Sequence, residues 1–113
     1  MISVFDDVFI TEVRHEYEDA VRGLSSRAAN MRAAGKSSET IARDVHAKRR
    51  CLAAVFKDRT PEPYRSKIYA RTIAIYGDPI GPTIEWLRKS GKSWDDIVAS
   101  ATRPGDMPYD SKS

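Results

Sequence analysis

The fold turns on one stretch, IARDVHAKRRCLAAVF, Ile41 to Phe56. It contains no glycine and no proline, and its apolar residues do not alternate. Ile41, Val45, Leu52, Val55 and Phe56 recur at helical spacing, which predicts one unbroken helix rather than a strand. At 100° per residue these five fall within about 100° of arc, with Arg43, His46 and Arg50 together on the other side. Ala47, Ala53 and Ala54 lie near that polar trio, and their short side chains read as open space around it.

The same period extends upstream. Phe9, Val13, Tyr17, Ala20, Leu24, Ala28 and Met31 predict a long amphipathic helix from Asp6 to Ala34. Gly35 stops it, and Ser37 or Ser38 caps the helix carrying His46, which should run to about Lys57. Downstream, DRTPEP breaks the pattern. Thr60 as N-cap with Pro61 at the first helical position predicts a third helix to Tyr76. That helix is apolar on two sides, Tyr64/Ile68/Ile75 and Tyr69/Ile73/Tyr76, as expected of a central element. YGDPIGP, Tyr76 to Pro82, is a rigid turn. A short helix from Thr83 to Lys89 and a last one capped by Ser93 complete the pattern, with Asp96 placed for a capping box. GKS occurs twice, at Gly35 and Gly91. The residues where a phosphate-binding loop needs its first glycine are Asn30 and Trp86, so both copies read as helix stop and next cap.

The expectation is a single all-α domain of four or five helices. Residues 1–36 form the N-terminal helix, a candidate linker region. Residues 37–105 form a helical core, and 106–113 a flexible, disordered tail. In the assembled domain the first helix should pack against the second and third.

Charge is unevenly placed. The net charge is only +3, but Arg14 to Arg71 holds 14 Lys/Arg against 7 Asp/Glu. A basic middle suits a polyanionic partner, nucleic acid or an acidic protein; the plainer account is a solvated, arginine-rich surface. Cys51 is the only cysteine, which rules out an internal disulfide framework. Two histidines make no convincing metal site, and the carboxylates do not cluster as a two-metal site requires. No metal and no cofactor are therefore expected. No apolar run is of membrane length and no signal-peptide pattern opens the chain, so a reducing, cytosolic setting is expected, for a domain that could be released from a larger secreted protein.

His46, placed between Arg43 and Arg50, should have a lowered pKa and be neutral at pH 7. A neutral imidazole can take the proton of a ribose 2′-hydroxyl while arginines hold the phosphate, which is the logic of a metal-independent ribonuclease. A merely solvated histidine fits the same spacing. Arg71 lies at an apolar edge, aimed at a ligand or paired with Asp78. Tyr69 and Tyr76 either pack or offer hydroxyls to phosphate, and Trp86 and Trp94 read as core. AGKSSETIARDVHAKRR also loosely resembles a helix-turn-helix, although HAKRRCLAAVF supplies no second turn.

Over Ile41 to Gly105 the chain resembles the C-terminal toxin domains of bacterial polymorphic toxins, of the contact-dependent growth inhibition, filamentous haemagglutinin and rearrangement-hotspot types. The resemblance rests on Arg43, Val45–His46, Arg49 or Arg50, KD-TP at Lys57 to Pro61, Arg71 one turn before YGD--GPT (Tyr76 to Thr83), and GKSW--I--SA-RPG. The chain departs from that pattern at Arg59, Thr72, Ile75 and Asp106. The resemblance implies a domain secreted within a larger protein, acting in the target-cell cytoplasm and neutralised by a cognate immunity protein. Combined with the Arg–His–Arg face, it implies a ribonuclease acting on tRNA or other RNA; the alternative within the same family is a toxin that is not a nuclease, since other such domains deaminate, hydrolyse nucleotides or damage membranes. The expected catalytic set is His46 as base, Arg43, Arg50 and Arg71 as phosphate clamps, and Thr83 as hydroxyl donor or substrate-positioning group. Lys48, Arg49, Tyr69, Tyr76 and Asp78 are expected to bind substrate.

Overall fold

The computed structural model describes residues 4–104, and the backbone alone for 4–10. Within them all regular structure is helical: α1 (Val4–Ala33), α2 (Ser38–Arg59), α3 (Tyr64–Tyr76), α4 (Ile84–Lys89) and α5 (Trp94–Thr102). The tail expected at 106–113, and the side chain of Phe9, lie outside the described residues. No helix among the described residues is long and apolar enough to cross a membrane.

Two GKS segments turn the chain by one device. Gly35 and Gly91 adopt positive φ, +82° and +86°, a conformation that costs a side chain but not glycine. Each lets the following lysine N–H reach back five residues, Lys36 to Met31 O and Lys92 to Leu87 O, the hydrogen bond that closes a helix C-terminus. Ser37 and Ser93 then accept from the N–H of Thr40 and Asp96. Asp96 returns the bond to the Ser93 N–H, completing the expected capping box. Ser93→Ala should lower stability by about 1 kcal/mol, read as a shifted urea midpoint; an unchanged midpoint would show α5 is held by packing alone.

The tight turn at Gly35 makes α1 and α2 an antiparallel pair, tied at its two ends by Arg27–Asp44 and Arg59–Glu16. α5 lies across both. The main core joins Ala28 of α1 to Ile41, Ala42 and Val45 of α2, Leu87 of α4, and Ile97, Val98 and Ala101 of α5. A second cluster joins Tyr17 and Val21 to Ala53, with Leu52, Phe56 and Ile80 against it. Each fully buried Ile or Val contributes about 1.5–3 kcal/mol. α1 is thus an integral wall of the core.

Three details differ from the sequence reading. On α1 the buried stripe takes Val21, fully buried, in place of Ala20. α3 starts at Tyr64, not Pro61, because Pro63 steers the residue before it away from helical backbone. Thr60 ends α2 instead, its hydroxyl donating to Phe56 O. α3 is also peripheral rather than central. Only Ile68 and Thr72 are buried, while Ile73 and Ile75 are about half exposed at 49% and 46%. α5 takes the place beside α1 and α2 that α3 was expected to fill.

Candidate active site

The inward side of α2 is wider than the one its large apolar residues suggest. Ile41 and Val45 are fully buried and Leu52 and Phe56 pack against the second cluster, as expected, but the buried surface extends beyond them. Ala42 and Ala53 are buried, and Val55 is 55% exposed. The alanines read as open space include a packing surface, because small side chains let neighbouring helices approach closely. The added width brings a second row inward at four-, three- and four-residue spacing: His46, Arg50, Ala53 and Lys57. His46 and Lys57 are 7% and 4% exposed.

This row grips the YGDPIGP loop through its backbone carbonyls. Lys57 Nζ donates to Pro79 O at 3.1 Å, Ile80 O at 3.2 Å and Thr72 Oγ1 at 3.4 Å. Arg50 donates to Gly81 O at 2.9 Å and Pro82 O at 3.3 Å, and its other terminal nitrogen meets Asp78. His46 Nε2 lies 2.9 Å from Pro82 O. Carbonyls only accept, so Nε2 carries the proton and the neutral ring keeps its lone pair on Nδ1. The loop is closed from its own side by Asp78, whose Oδ1 accepts from Ile80 N at 2.8 Å and Gly81 N at 3.3 Å.

Between α2, the loop, α4 and α5 lies a cavity of about 310 Å³. His46, Arg49, Arg50, Lys57 and Lys92 supply its nitrogen groups, and Tyr76 and Trp86 an aromatic wall. Ala53, Leu87, Ile97 and Ala101 supply apolar lining. Its lining includes four formal cations and no carboxylate among the described residues, so it favours anions.

Burial lowers the His46 pKa, opposed by the Pro82 hydrogen bond and reinforced by the Arg50 and Arg49 charges. The ring is therefore neutral at pH 7. Burial likewise pushes Lys57 down from 10.5 to about 8, with Asp78 opposing and Arg50 adding to the fall. For Asp78, burial works against ionisation. The N–H groups of Ile80 and Gly81 and the Arg50 guanidinium outweigh it and hold the carboxyl below its ordinary value.

Of the residues singled out from sequence, His46, Arg49, Arg50 and Tyr76 meet at the cavity, with Asp78 behind Arg50. Arg49 is committed to the end of α5, donating to Ser100 O and Arg103 O and, at 3.4 Å, to the Tyr17 hydroxyl. The others lie apart from the cavity lining. Arg43 pairs with Glu39 and lies over the Trp94 ring. Lys48 faces Asp44, and the Tyr69 hydroxyl donates to Asp58. Thr83 caps α4, accepting from Trp86 N. Arg71 is exposed on α3; the guanidinium that meets Asp78 is Arg50's. Trp94 packs against the main core as expected, but Trp86 is 37% exposed at the cavity edge, stacked perpendicular to Tyr76. Lys57, Thr72, Trp86 and Lys92 were missed. The signal for Lys57 was its place in the His46–Arg50–Ala53 row. α2 runs unbroken through Arg59, leaving no second turn for a helix-turn-helix. The described residues contain no group of three or more His, Cys, Asp or Glu side chains placed to hold a metal ion.

Compared with known proteins, the chain matches no family model, no curated sequence and no solved structure.

Proposed function

We propose that this chain is an antibacterial toxin domain that cleaves RNA, tRNA or another, with His46 as general base and no resident metal. One observation carries the reading. A neutral imidazole, its Nε2–H tied to Pro82 O, shares a cavity with Arg49, Arg50, Lys57 and Lys92. That hydrogen bond leaves Nδ1 as the proton acceptor, as a base held by an orienting partner requires. In the proposed step Nδ1 takes the ribose 2′-hydroxyl proton and the 2′-oxygen bonds to the adjacent phosphorus. The bond to the 5′-oxygen breaks, and that oxygen takes a proton from water. Arg50, which keeps N–H donors beyond its loop contacts, and Lys92 offset the charge on phosphorus. Delivery within a larger secreted protein and a cognate immunity protein belong to the same proposal and rest on the sequence resemblance.

A second reading has its own support. His46, Arg50 and Lys57 all bond to loop carbonyls, as they would if their work were to hold the loop and the basic surface bound a polyanion without cutting it. Induced expression in a bacterial host separates the two. The ribonuclease reading expects growth arrest with discrete RNA fragments on a denaturing gel soon after induction. Arrest with intact RNA removes the ribonuclease; RNA binding without cleavage supports the second reading.

A further inference from the structure

The cavity is larger and less polar than a phosphate clamp requires. Its buried lining is apolar on one side, where Ala53, Leu87, Ile97 and Ala101 are between 1% and 7% exposed, and polar where His46, Lys57 and Thr72 lie equally buried. Its exposed lining includes an aromatic ring and a cation, Trp86 at 37% and Lys92. Tyr76 and Trp86 meet at 83° with ring centroids 5.0 Å apart, a perpendicular contact that sets the edge of one ring on the face of the other, and Trp86 remains more than a third exposed. An apolar floor, an aromatic edge and a few convergent polar groups describe a site for a flat, largely apolar ligand group with a charged end.

We propose that this cavity receives the base of one nucleotide, stacked on Trp86, with its phosphate held by Lys92 and Arg50. Resting on the reading of RNA as substrate, this makes the substrate class unpaired RNA, a single strand or a loop. A base inside a duplex has both faces covered and cannot enter such a cavity unless it leaves the stack. The same chemistry fits a free mononucleotide, and the test separates the two sources.

Calorimetric titration of the full chain uses three probes: a 2′-O-methyl RNA hexamer, which lacks the attacking hydroxyl; the same strand annealed to its complement; and a nucleoside 5′-monophosphate. Two variants accompany the wild type. Trp86→Ala removes the stacking edge at an exposed position, and Ala53→Leu fills the floor. The single strand should bind at least tenfold more tightly than the duplex, and Trp86→Ala should weaken it about tenfold or more, the usual scale for one lost base–aromatic stack. Ala53→Leu should weaken it as well. If Ala53→Leu fails to fold, Trp86→Ala still decides. Equal binding of duplex and single strand overturns the inference, as does wild-type affinity in Trp86→Ala. Cleavage of unmodified RNA is followed in parallel. Cleavage together with unaltered binding by the cavity variants overturns the inference alone and leaves the ribonuclease standing. Mononucleotide binding that Trp86→Ala weakens, with RNA neither bound nor cleaved, removes the RNA reading and assigns the cavity to free nucleotides. No binding of any probe overturns the inference outright.

Discussion

His46→Gln should reduce RNA cleavage by about 100- to 10,000-fold, the range typical of a lost general base, with little change in the melting temperature. Glutamine places an amide N–H near the position of Nε2, so the bond to Pro82 O, 2.9 Å in the wild type, can be kept. It provides no basic nitrogen in place of Nδ1. His46→Ala confounds the two roles, because it leaves Pro82 O without one donor and opens space in a buried position. The decisive comparison is therefore cleavage rate against thermal stability in both variants. Loss of cleavage in the glutamine variant with its stability intact supports His46 as base. Full activity in that variant would sink the assignment. Loss of activity only in the alanine variant, together with its stability, would show that the histidine holds the loop and does no chemistry.

Lys57→Met should destabilise the fold by about 3 kcal/mol, by removing the donor to the buried Thr72 hydroxyl and to two partly buried loop carbonyls, where a buried acceptor left unpaired costs about 1–3 kcal/mol, offset in part by the apolar side chain. For a domain of this size that lowers the melting temperature by roughly 10–20 °C. The ammonium bridges α2 to two loop carbonyls and to the Thr72 hydroxyl, which itself donates to Ile68 O at 2.8 Å. A change of only a few degrees would mean that the loop carbonyls find water and that the bridge contributes little. The pH dependence tests the same group separately. Its pKa falls from 10.5 in the unfolded chain to about 8 when folded. Below pH 8 both states hold the proton and the contribution is flat. Between about 8 and 10.5 the unfolded chain binds more protons, so stability rises with pH. The wild type should therefore gain stability relative to Lys57→Met from pH 8 to 9.5. That range stops short of Tyr69, whose raised pKa, from burial and the Asp58 hydrogen bond, makes stability fall as pH climbs beyond 10. Parallel curves for the two proteins would contradict an ammonium held in this buried site.

Helix ends were legible because their causes are local. Gly35 and Gly91 supply positive φ, Ser37 and Ser93 supply side-chain acceptors within three residues, and the structure uses all four. His46 and Arg50 were legible as a pair because one turn of helix separates them. Lys57 was not, because a lysine three turns beyond the histidine looks solvated until the loop folds over it. The width of the inward side of α2 was hidden for a related reason. Ile41, Val45, Leu52 and Phe56 pack inward as their spacing predicts, but the small Ala42 and Ala53 are buried as well and Val55 is not.

What the sequence determined by itself is the all-helical fold, the placement of the two GKS turns and the unbroken run of α2. Periodicity, glycine conformation and capping act within a few residues and need no partner. What only the tertiary structure decided is how far the inward side of α2 extends, which carboxylate Arg50 meets, and that the YGDPIGP loop lies across His46, Arg50 and Lys57. Those depend on α5 displacing α3 from the core, a contest among surfaces distant in the chain. Its outcome follows from the summed burial of many side chains and from the need of each buried carbonyl for a donor.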